Sequence, residues 1–156
     1  IGQQISVAAA TTITGRIAHK LGEQLSVGGT LDRVFPNAAT LAKANLKGLG
    51  LTDKRATTLE HFAKAVANGN LDLRLNGAIE EVVSRWSALP GIGPWTAHMA
   101  AMRVLQHNDA MPSSDLGIRR TASKLAGNSV SSKELDNRSL PWRPFRSWAV
   151  QHLWEQ

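Results

Sequence analysis

The chain has 156 residues, 42% of them hydrophobic, no cysteine, and a formal net charge of +6 at pH 7. That length bounds one compact domain or two small lobes sharing a core, and the missing thiols exclude disulfides, thiolate catalysis and any cysteine-held zinc or iron–sulfur centre. No apolar run reaches the roughly 18 residues a membrane span needs, and residues 1–24 carry polar side chains throughout, unlike a signal peptide.

Every periodic segment along the chain is helical. Val7, Ala10, Ile13, Ile17, Leu21 and Leu25 fall on one side of a helix over residues 6–25, which Ser26-Val-Gly-Gly29 stops. A short helix follows Phe35-Pro36-Asn37 and runs through Ala44. Lys47-Gly-Leu-Gly50 breaks the pattern. Thr52 or Asp53 then caps a helix to Ala67, with Leu59, Phe62, Ala63 and Val66 inward, and Asn68-Gly69-Asn70 ends it. Residues 78–88 place Ile79, Val82, Val83 and Trp86 at helical spacing, and Ala97, Ala100, Ala101, Val104 and Leu105 continue it further on. Ser113 or Ser114 is placed to cap a helix to about Leu125; residues 131–140 read as a weaker helix and 144–154 as a strong final one. No alternating strand exceeds four residues, and there is no repeat or low-complexity tract.

Between two of these helices stands Leu89-Pro-Gly-Ile-Gly-Pro94. Two glycines and two prolines do not fit a regular helix, so this is a tight hairpin, and Pro94 suits the first helical position after it. The unit, over about residues 78–106, is helix, glycine hairpin, helix. The N–H groups of Gly91 and Gly93 beside a helix N-terminus make a phosphate site, and glycines admit a nucleic-acid backbone closely. Taken alone, such a hairpin is more often a plain connection between packed helices. The charge pattern adds to it. Residues 1–75 carry nine Lys/Arg against five acids, residues 76–115 two against four, and residues 116–156 seven against three. Two basic flanks suited to a polyanion thus enclose a slightly acidic middle.

Gly2-Gln3-Gln4-Ile5-Ser6, Leu89-Pro-Gly-Ile-Gly-Pro-Trp-Thr-Ala97, Met111-Pro112 ahead of Asp115-Leu-Gly-Ile-Arg-Arg120, Trp142-Arg143-Pro144-Phe-Arg-Ser-Trp148 and His152-Leu153-Trp154 occur in that order. Together they closely resemble the helix–hairpin–helix DNA glycosylase superfamily, and within it the 3-methyladenine DNA glycosylase II branch. The resemblance covers essentially the whole chain. It implies an all-α fold, two helical lobes around a cleft, and a single glycosylase domain over residues 1–156. That family often carries a further N-terminal β-rich lobe; with Ile1 adjoining a family motif, the chain is expected to lack the N-terminal part of the natural protein. The absence of cysteine separates it from the endonuclease III branch with its four-cysteine cluster.

The resemblance also assigns roles. Cleaving the bond between C1′ and a purine nitrogen builds positive charge on the sugar, which a nearby carboxylate stabilises while aligning or deprotonating a water. Asp115, 22 positions after Gly93, is the candidate; without the resemblance an N-cap would be the better reading of it. Superfamily members that also cut the strand carry a lysine two residues after the hairpin's second glycine, whose amine forms a Schiff base. Here that slot is Trp95, so the expected enzyme is a monofunctional hydrolase without lyase activity. Trp95 and Trp154 line the base pocket by resemblance, where ring faces attract alkylated, positively charged purines of the 3-methyladenine and 7-methylguanine type. Met99 and Glu155 stand where the family can place tyrosines, which makes the pocket roomier. Trp86 and Trp148 read as core. Gln3 and Gln4 occupy the place of the residue that wedges into the base stack, Gln4 being preferred. With Leu89, Gly91, Ile92, Gly93 and Thr96 they complete the expected DNA contacts. No cofactor is required; by resemblance a Na+ or K+ ion sits on the hairpin carbonyls of Ser87, Leu89 and Ile92. The expected partner is double-stranded DNA with alkylated bases, bound by a monomer with no membrane role, in the bacterial cytoplasm at the nucleoid or in a eukaryotic nucleus. Two alternatives stay open: a non-enzymatic helix–hairpin–helix DNA-binding module, which has no use for Asp115, and a glycosylase for oxidised or deaminated bases.

Overall fold

The computed structural model describes residues 1–3, 5–26, 32–74 and 77–156. Among them are eight α-helices, one 3-10 turn, and a single isolated antiparallel bridge between Gln24 and Arg33. The all-helical expectation holds. The chain divides into two compact units, Ile1–Asp72 with Leu89–Gly91, and Leu73–Ala88 with Ile92–Gln156.

In the first unit, α1 (Val7–Leu21), α2 (Ala38–Lys43) and α3 (Asp53–Ala67) each start at a side-chain cap: Ser6, Asn37 and Thr52 accept from the N–H of Ala9, Thr40 and Arg55. Ile13, Ile17, Leu41, Leu46, Leu49 and Ala63 form the core. Helix α1 stops at Leu21, four residues before the expected end. Gly22 is the reason: the Val34 carbonyl lies 2.1 Å from where a Gly22 Cβ would be, so the returning chain packs directly on this glycine. Leu25 donates to Asp32 and Val34 to Glu23 beyond it, and Leu25 leaves the helical face it was expected to join. Val7, also expected inward, is exposed at the first turn. Residues 27–29, expected to stop α1, lie outside the described residues.

The second unit holds α4 (Ile79–Ser87), α5 (Pro94–Arg103), α6 (Leu116–Ala126), α7 (Ser132–Arg138), a 3-10 turn at Leu140–Trp142, and α8 (Arg146–Glu155). Its core includes Ile79, Val82, Trp86, Ala97, Ala101, Met111, Ile118, Val130, Leu135 and Val150. Five expectations are corrected. Helix α5 ends at Arg103, leaving Val104 exposed. Helix α6 is capped by Asp115 rather than Ser113 or Ser114, because Ser113 is buried with its hydroxyl 3.0 Å from that of Ser132. Helix α7 stops at Arg138, and α8 starts at Arg146 rather than residue 144. Trp148 is 62% exposed and not core: α8 turns its Val150 and Leu153 side inward and Trp148 out.

A buried ion cluster joins the start of α8 to the loop before Asp115. Asp109 accepts from Arg146 Nε at 2.7 Å, from Arg146 Nη2 at 2.8 Å and from Arg143 Nε at 2.8 Å. Burial pushes the Asp109 carboxyl up, but the bonds from Arg146 and Arg143 outweigh it and hold the pKa below the usual carboxylate value.

Candidate active site

The loop that delivers Asp115 is pinned along its length. The Ala110 N–H donates to Ser147 Oγ at 2.9 Å, and the Met111 N–H to His98 Nδ1 at 3.2 Å. Met111 and Pro112 are fully buried, and the Asp115 N–H closes a turn on the Pro112 carbonyl at 2.8 Å. Burial, then the nearby Arg146 charge, lowers the His98 pKa, which suits its accepting nitrogen.

Asp115 sits at the N-cap of α6. Its Oδ1 accepts from the N–H groups of Gly117 at 2.9 Å and Ile118 at 3.2 Å, and also from the Trp154 indole at 3.2 Å. Its Oδ2 accepts from the Trp95 indole at 3.0 Å. The capping role and the two indole contacts fall on one carboxylate. Burial pushes its pKa up; hydrogen bonds from Trp154, Trp95, Ile118 and Gly117 more than offset this and hold it below the ordinary value. All four donors are neutral, so Asp115 is half-buried, ionised, and uncompensated by a cation among the described residues. Such a group stabilises positive charge developing beside it.

Trp95, in the first turn of α5, and Trp154, in the last turn of α8, are both half-buried. Met99 follows Trp95 by four residues on the same side of α5 and is half-buried too. Two residues not singled out in the sequence complete the group. Gly117 leaves room for Trp154: a Cβ there would lie 3.1 Å from Asp115 Oδ1 and 3.3 Å from Trp154 Cδ1. Arg103, at the end of α5, places its guanidinium carbon 5.1 Å from the Trp154 ring centroid. The position of Gly117 two residues after a capping carboxylate was a visible signal for the first; nothing in the sequence pairs Arg103 with Trp154.

At the hairpin, the two glycines differ. Gly91 has φ +83°, and a Cβ there would meet Thr58 Oγ1 of α3 at 2.0 Å. Its smallness serves packing within the first unit. Gly93 has ordinary φ, caps α5, and has open space where a Cβ would be. Among the described residues neither glycine N–H meets an acceptor. Gln3 donates its side-chain amide to the Gly91 carbonyl at 3.1 Å and accepts on its own carbonyl from Arg55 Nη2 at 2.6 Å, so it is tied to the hairpin tip. Gln4, the preferred wedge, lies outside the described residues. Leu89 (first unit), Ile92 and Thr96 (second unit) are half-buried. Ser87 closes α4, where its carbonyl has no helical donor, and its Oγ is buried without a partner.

Residues 1–144 match the family model described as HhH-GPD superfamily base excision DNA repair protein. The chain is 37% identical over 155 residues to a Mycobacterium tuberculosis protein called probable bifunctional transcriptional activator/DNA repair enzyme AlkA, covering 99% of this chain and 31% of the relative. It is 34% identical over 157 residues to DNA-3-methyladenine glycosylase 2 of Escherichia coli, covering 99% of this chain and 54% of the relative. A crystal structure described as DNA-3-methyladenine glycosidase from Bacillus halodurans superposes with a TM-score of 0.78 at 28% identity, over 99% of this chain and 70% of that one. The chain thus spans from about a third to about half of the two curated relatives.

Proposed function

Because this chain belongs to the HhH-GPD superfamily of base excision DNA repair proteins, we propose that it is a monofunctional glycosylase that hydrolyses the N-glycosidic bond of alkylated purines in duplex DNA. The observation that carries this reading is Asp115, an ionised carboxylate held by two indoles and two helix N–H groups with no cation among the described residues to neutralise it. A base flipped out of the stack would enter beside Trp95, Met99 and Trp154. As the C1′–N bond lengthens, electrons move to the departing purine and positive charge builds on the sugar, facing Asp115. Water adds at C1′ and loses a proton to the carboxylate or to solvent, leaving free base and an abasic strand. Trp95 supports the hydrolytic rather than the lyase course, since an indole in that slot supplies no amine to attack C1′.

The duplex would be gripped through the N–H groups of Gly91 and Gly93, with Leu89, Ile92 and Thr96 beside them in the sequence, and Gln3 and Gln4 as the wedge. A Na+ or K+ ion on the carbonyls of Ser87, Leu89 and Ile92 belongs to the same proposal; the free carbonyl at the end of α4 is a hard oxygen suited to such an ion, which would help hold a phosphate. The protein would act as a monomer wherever DNA is repaired, in a bacterial cytoplasm or a nucleus. The test is release of free base from methylated duplex DNA. The wild type should release 3-methyladenine and 7-methylguanine ahead of 8-oxoguanine, and Asp115→Asn should lose on the order of 100-fold in rate while still binding DNA. Equal excision by the two proteins would take Asp115 out of the reaction, and a borohydride-trapped adduct would end the monofunctional reading.

A further inference from the structure

We propose that His98 is a positioning residue: it ties the loop before Asp115 to α5, the helix that also carries Trp95, and so sets the carboxylate against its indole donor. The use made of that position rests on the glycosylase reading above. Two tethers run from α5 to one stretch of chain. Trp95 gives its N–H to Asp115 Oδ2 at 3.0 Å, and His98, three residues later, accepts the Met111 N–H on Nδ1 at 3.2 Å. Residues three apart on a helix are surface neighbours, so both tethers leave α5 from one side. The chain between the tethered points has little freedom. The Ser113 N–H closes on the Met111 carbonyl at 2.9 Å and the Asp115 N–H on the Pro112 carbonyl at 2.8 Å, while Met111 and Pro112 are fully buried. A shift of Met111 off the imidazole is therefore carried on to Asp115.

Met111 is buried, and among the described residues its N–H has no acceptor other than His98. A buried N–H left without an acceptor is costly, so the loop moves if the imidazole nitrogen is removed. An imidazole accepts on Nδ1 only when its proton sits on Nε2. Burial, then the Arg146 charge, lowers the His98 pKa against the opposing pull of Asp136 and Glu80, so the ring is neutral at pH 7. With Nδ1 committed to the backbone, His98 takes no proton from the reaction; it acts through Asp115.

The experiment compares His98→Asn with His98→Gln. The asparagine oxygen is as many bonds from the backbone as Nδ1 and keeps the acceptor; the glutamine amide stands one bond further out and loses it. Single-turnover release of 7-methylguanine at saturating enzyme should stay within about twofold of wild type in His98→Asn and fall by roughly tenfold to a hundredfold in His98→Gln, the scale of a small misplacement of a reacting group. Affinity for the methylated duplex should be the same in all three proteins. A residue that only fills space would rank the other way, since asparagine leaves the larger void. His98→Gln releasing base as fast as His98→Asn therefore overturns the proposal, as does a loss confined to affinity. A second readout needs no activity: solvent exchange of the Trp95 indole N–H, followed by NMR as the signal missing from Trp95→Phe. It should quicken in His98→Gln and not in His98→Asn, and equal exchange in the two variants overturns the inference. If the wild type releases no base, the glycosylase reading fails, and indole exchange still decides whether His98 positions Asp115.

Discussion

The Trp154 indole N–H reaches the same Asp115 oxygen that caps α6, at 3.2 Å, and it does so across the bare Cα of Gly117. One oxygen thereby serves both the fold and the candidate chemistry. Gly117→Ala separates the two. A Cβ at 3.1 Å from Asp115 Oδ1 and 3.3 Å from Trp154 Cδ1 is too tight unless the indole gives way by a few tenths of an ångström. The helix gains only part of the about 1 kcal/mol by which alanine exceeds glycine in a helix interior, because Gly117 is the second residue of α6. We expect Gly117→Ala to melt no lower than the wild type yet excise base several-fold more slowly, by thermal denaturation and single-turnover release. Unchanged excision would mean that the Trp154 bond is dispensable.

Asp115→Asn should also carry a stability cost apart from its effect on rate. The amide retains one acceptor oxygen for the cap but turns an NH2 toward the Trp95 or Trp154 indole, donor against donor. Loss of acceptors for buried or capping donors costs about 1–2 kcal/mol. A urea midpoint should show that loss while circular dichroism shows an intact helical fold.

Much of this architecture was legible before the structure. The start of α2 after Asn37, a cap for α3 at Thr52 or Asp53, the break at Lys47-Gly-Leu-Gly50 and Pro94 at the first turn of α5 are local chemistry, written in a few neighbouring residues. What could not be read depends on partners distant in sequence. Gly22 ends α1 because of Val34, and Trp148 faces outward because α8 already has Val150 and Leu153 for its core side. Asp115 illustrates both: its capping place was visible, whereas its two indole donors come from 20 and 39 residues away.

The two hairpin glycines should separate in the same way. Gly91→Ala forces a side chain into φ +83° and onto Thr58, and strain of that kind costs about 1–3 kcal/mol before the collision is counted. Gly93→Ala has ordinary φ and open space, so it costs under about 1 kcal/mol as a poorer cap. Titration of undamaged duplex at two salt concentrations should show Gly93→Ala weakening DNA binding in a folded protein, and Gly91→Ala failing first in a melting experiment. Silent Gly93→Ala binding would remove that glycine from the phosphate grip.

Acid should loosen the second unit through Asp109. Its pKa is depressed in the fold, so its contribution is fully present above the ordinary carboxylate value of about 4 and is lost as pH falls through the lower folded value. At pH 7, Asp109→Asn leaves the buried Arg146 guanidinium only Glu80, at 3.9 Å, as an anionic partner, a change worth at most about 3–5 kcal/mol. Urea midpoints at pH 7, 5 and 3 should show a wide gap between wild type and Asp109→Asn at the two higher values that narrows at the lowest. A gap constant across the series would remove Asp109 as an acid-sensitive group.

The indole donors to Asp115 set the last expectation. Trp154 and Trp95 donate to opposite oxygens of one carboxylate, and those bonds, outweighing burial, keep its pKa below the usual value. Phenylalanine keeps an aromatic face and removes the N–H. In Trp95→Phe or Trp154→Phe the carboxyl should therefore protonate at a higher pH than in the wild type, moving the acid limb of the excision rate upward in pH. Because Trp154→Phe leaves a ring for the base, its loss should be larger on the acid side than at neutral pH, whereas Trp154→Ala should lose rate on cationic bases across the whole range. A pH–rate profile for release of 7-methylguanine distinguishes these outcomes. An acid limb that does not move in either phenylalanine variant would show that the carboxylate controlling the reaction is not the one these two tryptophans hold.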